Sequence, residues 1–252
     1  MRFALGPHPV DLEPASLLAL AAAAEDAGFD SLWLAEDRDR PGGGGGLATA
    51  AFLAQRTCLA VGVLVDLGPR HPLRLAEEAA VADLCCGGRL ELGVRPGPAA
   101  AEALGLLMTA LTGRALQWRG DALRTPAGLP ENGPVPAALA LNPRPLQARL
   151  PVWLVGGDAS LRATAAALGC GLVSPWDDRD LHIAAPVPGA LPHGLLCPGQ
   201  AQPEALAVAG ERGVAYFLVQ ASAADALDGS RRLLPPLRMP ELPPWVLADR
   251  DS

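Results

Sequence analysis

The chain has 252 residues, half of them hydrophobic and 19% charged, the profile of a folded protein with length for one large core. Its formal charge is −7 and all 20 basic residues are arginine. The acidic balance argues against nonspecific nucleic-acid binding, and the lack of lysine excludes a Schiff-base or P-loop lysine. No apolar run is long enough for a membrane span, and five cysteines without CxxC spacing support neither a disulfide framework nor a structural zinc site.

Short β-branched or aromatic runs alternate with Ala/Leu-rich helical patterns. "RFALG" (2–6) reads as a strand and "EPASLLALAAAAEDAG" (13–28) as a helix stopped by Gly28. Pro7, Pro9, Asp11, Glu13 and Pro14 interrupt this stretch, so no secretory signal is expected and the chain reads as cytoplasmic. A strand "SLWLAE" (31–36), a glycine loop (42–46), a helix over 47–56 and a strand "LAVGVLV" (59–65) follow. The helix "HPLRLAEEAAVADLCC" (71–86), with Pro72 in its first turn, leads to a strand "RLELGV" (89–94) and a helical Leu104–Leu111. Residues 112–150 are rich in Pro and Gly and poorly patterned. The rhythm resumes with strand "PVWLVG" (151–156), helix 159–169 and strand "GLVS" (171–174). Within an irregular 175–200, "HGLLC" (193–197) reads as a strand; a helix over 203–212, strand "VAYFLVQ" (214–220) and helix 224–237 close the chain.

Eight strands separated by helices in this length predict a shortened α/β TIM-type (β/α)₈ barrel, one domain over 1–252 with irregular stretches at 112–150 and 175–200. Two small doubly wound domains are the alternative. In a barrel, functional side chains sit where strands end and βα loops begin. His8 then stands at the mouth after the first strand, and its ordinary pKa suits acid–base work near neutrality. His71, before Pro72, reads as structural. No HExxH or other metal spacing is present, so no metal is expected.

Four stretches follow one another in an order that carries a resemblance: "AEDAGFDSLWLAED" (24–37), "RHPLRLAEEAAVADLCCGGRLELGVRPG" (70–97), "TGRALQWRGD" (112–121) and "PRPLQARLPVWLVGGDASLRATAAALGCG" (143–171). Together they resemble the luciferase-like flavin-dependent monooxygenases, a family that includes bacterial luciferase and deazaflavin-dependent oxidoreductases. Against that pattern Cys85 takes the place of a buried leucine and Cys86 that of a small capping residue, so the Cys-Cys-Gly-Gly corner is architecture and not a reactive thiol pair.

The resemblance implies reduced flavin or deazaflavin bound across the C-terminal mouth. At the end of the second strand relatives often carry Glu-His-His; this chain has Glu36-Asp37-Arg38, keeping the acid without the histidine. Glu36, Asp37 and Arg38 join His8 as catalytic candidates. On the fourth strand Pro96 takes the place of the family's phosphate-binding arginine, with Arg95 one residue earlier. A one-residue move along a strand turns a side chain to the other face, unless Pro96 bends the chain back. The family's phosphate site also implies Gly156, Gly157 and Ser160 at a helix start, where backbone N–H groups attract anions. Asp158 there is also an N-cap that competes for the same groups. Val65 and Asp66, ending the third strand, complete the cofactor-binding set.

The family also implies a non-proline cis peptide near Val63-Leu64. Its usual insertion after the fourth strand is cut down here to "PAAAEALGLL" (98–107), which leaves the mouth more open to water. The activity implied is monooxygenation of a small organic substrate with O₂ and reduced FMN supplied by a separate reductase. The alternatives are hydride transfer with the deazaflavin cofactor F420, or a non-catalytic flavin-binding or subunit partner. A homodimer is implied through the helices after the second and third strands, where Ala50, Ala51, Ala54, Ala76, Ala79 and Ala80 permit close packing.

Overall fold

The computed structural model describes residues 1–37, 45–68, 70–97, 100–126, 138–157, 159–175, 193–198, 203–211 and 213–221. Eight of its strands are parallel and close into a barrel: β1 (Arg2–Pro9), β2 (Ser31–Ala35), β3 (Ala60–Asp66), β4 (Leu90–Arg95), β7 (Val152–Val155), β8 (Gly171–Pro175), β9 (His193–Pro198) and β10 (Val214–Gln220). Around the ring the order is β1-β10-β9-β8-β7-β4-β3-β2. The (β/α)₈ expectation holds, and each of the eight strands read from the sequence has its counterpart. The predicted closing helix, 224–237, lies outside the described residues.

Helices α1 (Pro14–Ala27), α2 (Gly46–Ala54), α3 (Pro72–Cys85), α4 (Ala101–Leu111), α5 (Ala159–Leu168) and α6 (Pro203–Glu211) connect these strands. On α1, Leu17, Leu20, Ala21 and Ala24 recur at helical spacing and are buried, with Pro14 in the first turn. Gly28 ends α1 in a left-handed conformation that closes bonds onto Ala24 and Glu25. Residues 101–107 of the 98–107 stretch belong to α4, which packs on α3. The poorly patterned 112–150 contains a two-stranded hairpin, β5 (Trp118–Arg119) with β6 (Arg124–Thr125). Glu102, in the first turn of α4, accepts from the Ala122 and Leu123 amides, which tethers that hairpin to the mouth end of the helix.

Barrel strands are buried on both faces, which explains their near-continuous apolar runs. The outward side chains of β1 to β4, such as Leu5, Leu32, Val63 and Leu92, form the layer under the helices. The lumen is built differently. It is filled by Trp33, Trp153 and Tyr216 with Ala4, Leu64, Val173 and Leu218, and strand glycines make room for the indoles. A Cβ at Gly62 would lie 2.3 Å from the Trp33 indole, one at Gly93 2.4 Å from it, and one at Gly171 2.3 Å from Trp153. Strand glycines, unfavourable by propensity, are here the space that two indoles occupy.

At the corner after α3, Cys85 is exposed and does not fill the buried leucine position expected of it. Gly87 and Gly88 both have positive φ, Cys86 is buried, and burial pushes its thiol up to about 11. The wholly buried Asp83 accepts from the backbone and side chain of Gln147, tying the returning 138–150 segment to the barrel. The non-proline cis peptide implied near Val63-Leu64 is not formed; the cis bonds among the described residues precede Pro7, Pro126 and Pro143.

Candidate functional site

The mouth follows from alternation along the strands. On β4, Glu91 and Gly93 face the lumen against Trp33, so Arg95 faces it too, one layer higher. Arg95 therefore needs no bend at Pro96 to reach the mouth. Its register partner on β3 is Asp66. The guanidinium grips that carboxylate with Nε at 2.8 Å and Nη2 at 3.3 Å, and Nη2 also donates to the Glu36 carbonyl at 2.8 Å. Nη1 has no hydrogen-bond partner among the described residues. Asp66 thus orients the arginine while leaving one edge of it available.

These two side chains, with Pro7, Pro9, Ala35, Glu36 and Asp37, line a cavity of about 450 Å³, within the range of small-molecule sites. Ala35, Val155 and Leu196 pack on the lumen cluster of Trp33, Trp153 and Tyr216 as the apolar floor of the mouth, and of these three Ala35 lines the cavity. On β7, the strand next to β4, the chain ends in Gly156-Gly157 and α5 begins at Ala159. The Gly156 amide is already bonded to the Val173 carbonyl, and Ser160 and Leu161 in the first turn of α5 already have partners, so of the predicted glycine pair only Gly157 is left to meet an anion at this corner. Ser160 is exposed there, while Asp158 lies outside the described residues.

Other predicted site residues are placed differently. Val65 is fully buried in the outer layer beneath the helices, because it alternates with the lumen-facing Leu64 and Asp66; it does not line the mouth. His8 pairs in register with Leu34, an outward residue, while Pro7 and Pro9 on either side of it line the cavity. It is 2% exposed, its Nε2 has no hydrogen-bond partner among the described residues, and burial lowers its pKa to about 4. His8 is therefore a neutral packing residue at pH 7, turned from the mouth.

Glu36 is engaged on both oxygens. Oε1 accepts from the Gly46 amide at 3.0 Å, capping α2, and Oε2 holds Arg70 at 2.7 Å. This carboxylate fastens the loop between β2 and α2, which accounts for its place without a catalytic role. Asp37 lines the cavity and Arg38 lies outside the described residues. His71 caps α3, its Nδ1 accepting from Leu73 at 3.3 Å. Among the described residues no group of three or more His, Cys, Asp or Glu is arranged to hold a metal.

Sequence reasoning missed the floor residues and the Glu36–Arg70 brace. A signal for the floor was present: Ala35 and Val155 each stand two residues beyond Trp33 and Trp153, so the lumen face could be extended by counting in twos. Nothing local in the sequence pairs Arg70 with Glu36, 34 positions away.

Residues 2–105 match the family model of the luciferase-like monooxygenases, so the stretch from β1 into α4 is similar to that family and the resemblance read from the sequence stands. No curated protein sequence matches the chain. Among solved structures, a monooxygenase from Streptomyces bottropensis superposes with a TM-score of 0.66 at 19% identity, over 92% of this chain and 97% of that one. The coenzyme F420-dependent tetrahydromethanopterin reductase from Methanopyrus kandleri gives 0.62 at 18% identity, over 78% of this chain and 66% of its own. The oxygenating constituent of 3,6-diketocamphane monooxygenase from Pseudomonas putida, in complex with FMN, gives 0.55 at 16% identity, over 78% and 66%. These likenesses establish the shared barrel.

Proposed function

We propose that this barrel, whose residues 2–105 match the luciferase-like monooxygenases, binds reduced FMN at its mouth and uses it with O₂ to oxygenate a small organic substrate. The observation that carries the reading is the mouth itself: a cavity lined by Ala35 and the oriented Arg95, beside the apolar layer of Ala35, Val155 and Leu196 that caps the lumen aromatics. A flat tricyclic ring fits an apolar floor, and a phosphate fits a guanidinium edge. Bound flavin would supply the two electrons and the oxygen chemistry.

The chain's own residues have narrower tasks. Asp66 and the Glu36 carbonyl hold the guanidinium of Arg95 in place, so that Nη1 meets an anion without reorganisation. The floor excludes water from beneath the ring. Asp37, on the cavity wall, is positioned to orient a substrate's polar group. The reduced cofactor comes from a separate reductase.

The decisive experiment is anaerobic titration with reduced FMN, oxidised FMN, riboflavin and F420. Tightest binding of reduced FMN, with Arg95→Ala weakening FMN by about 10- to 100-fold and leaving riboflavin unchanged, supports the reading; the size follows from losing a charge-assisted hydrogen bond. Preference for F420 would move the reaction to hydride transfer. Failure of all four with folded protein would overturn it. The second reading, a flavin-binding partner without catalysis, draws on the outward burial of His8 and the full engagement of Glu36. It predicts binding without O₂-dependent turnover.

The same proposal includes a homodimer. Phe52 on α2 and Val81 and Leu84 on α3 are exposed, and Val81 lines a groove of about 820 Å³ between these helices. A second copy covering that face would bury the three apolar side chains.

A further inference from the structure

The lumen beneath the mouth holds a group of aromatic and charged side chains that the proposed activity does not use. Tyr216 is wholly buried and is the chain's single tyrosine. Its hydroxyl donates to Glu91 Oε2 at 2.5 Å, accepts from the Trp33 indole at 2.8 Å and lies 2.7 Å from the Ser31 hydroxyl. Glu91 is 2% exposed, and its other oxygen is 2.8 Å from Arg2, a half-exposed side chain at the first position of β1. The Trp153 ring is tilted against Tyr216 with centroids 4.6 Å apart. Trp153 stands two residues before Val155 on the same face of β7, so it lies one layer, about 6.6 Å, under the mouth floor.

Three features distinguish this from apolar filling. A phenol hydrogen-bonded to a carboxylate can lose an electron and its proton together, which avoids leaving a phenol radical cation in a low-dielectric core. The Trp153 Nε1–H has no hydrogen-bond partner among the described residues, so an oxidised Trp153 has nowhere to release its proton and is suited only to passing the vacancy on. The carboxylate in turn reaches the opposite face of the barrel through Arg2.

We propose that Tyr216 is a redox-active tyrosine with Glu91 as its proton acceptor and Trp153 as its link to the mouth. A one-electron oxidant at the mouth, of the photoexcited-flavin class, takes one electron from Trp153, and Trp153 takes one from Tyr216. The phenolic O–H bond breaks as the proton passes to Glu91 Oε2, leaving a neutral phenoxyl radical and a protonated carboxyl beside Arg2. A one-electron reductant of the thiol or ascorbate class restores the phenol, and Glu91 returns the proton. The function is to draw damaging oxidising equivalents from the mouth. Only this setting rests on the flavin reading; the residues respond to any one-electron oxidant.

The test uses the full chain without flavin, a soluble ruthenium polypyridyl photo-oxidant with a sacrificial acceptor, and transient absorption with electron paramagnetic resonance. The wild type is expected to accumulate a neutral tyrosyl radical, assignable to Tyr216 because the chain has no other tyrosine. Tyr216→Phe should leave a tryptophanyl radical instead. Trp153→Phe, which leaves the hydrogen bonds of Tyr216 in place, should slow its formation about tenfold. Glu91→Gln should lower the tyrosyl yield about tenfold at unchanged circular dichroism. If Glu91→Gln does not fold, slower radical formation by the wild type in D₂O replaces that readout. A wild type that forms tryptophanyl but no tyrosyl radical overturns the proposal. A tyrosyl radical indifferent to Trp153→Phe, or to both Glu91→Gln and D₂O, does so too.

Discussion

Lowering the pH should destabilise this protein through His8, and the size follows from its burial. The side chain is 2% exposed, and burial brings its pKa from 6.5 down to about 4. The folded form therefore holds His8 neutral until the pH nears 4, whereas the unfolded chain takes up the proton near 6.5. Stability from this group is full above 6.5 and is lost as the pH falls from 6.5 towards 4. At 1.36 kcal/mol per pKa unit, that interval corresponds to a loss of about 3 kcal/mol. His193, also lowered first by burial and then by the Arg162 charge, adds a loss of the same sign. The assay is urea denaturation followed by circular dichroism from about pH 7.5 to 4.5. His8→Leu, which keeps an apolar side chain in an apolar layer, isolates the His8 part because the carboxylates and His193 remain. Wild type and variant should converge in relative stability as the pH falls, the variant gaining most of the 3 kcal/mol on the wild type. Parallel profiles to within about 0.5 kcal/mol would refute the reasoning and place His8 in contact with water.

Gly93→Ala should cost about 1–3 kcal/mol by overpacking, read as a lowered urea midpoint, because its Cβ would meet the Trp33 ring at 2.4 Å. Combined with Trp33→Phe, its cost should shrink; strict additivity would show that the glycine serves something other than the indole. Glu36→Ala should cost about 1–3 kcal/mol, since it leaves both the Gly46 amide and Arg70 without their acceptor. Val81→Glu should shift the chain from dimer to monomer in light scattering at unchanged circular dichroism, and a wild type that is already monomeric would remove the dimer from the proposal.

The strands were legible because a parallel barrel buries both faces of each one, so "LAVGVLV" and "VAYFLVQ" stand out as apolar runs without needing their partners. The helices were legible from period and punctuation, as with Pro14 and Gly28 around α1. The glycines were not. Gly62, Gly93 and Gly171 lie on strands that read well without them, and what they make room for arrives from other strands. A large side chain in a lumen fixes the size of its neighbours across the ring, and that relation has no local pattern. The hairpin at 118–125 was hidden for the same reason, because its anchor, Glu102, precedes it by 16 to 21 residues.

The candidate site divides along the same line. Which strand ends matter was legible from topology alone, and Arg95, Asp66, Asp37 and Gly157 all stand at such ends. Which of their neighbours point inward depends on phase, and a single irregularity changes it. The register between β1 and β2 slips between Leu5 and His8, so Pro7 and Pro9 face the cavity and the histidine faces the helices. On β4 the phase runs unbroken from Glu91 through Gly93, and the arginine that seemed one residue out of place lies on the lumen face. The same unbroken phase puts the acceptor of the Tyr216 phenol and the guanidinium of the mouth on one strand, four residues apart. A shift of β4 by one residue would turn both away at once. The radical chemistry proposed for the lumen and the anion binding proposed for the mouth thus depend on one strand register, while their assays, one by spectroscopy and one by titration, remain separate.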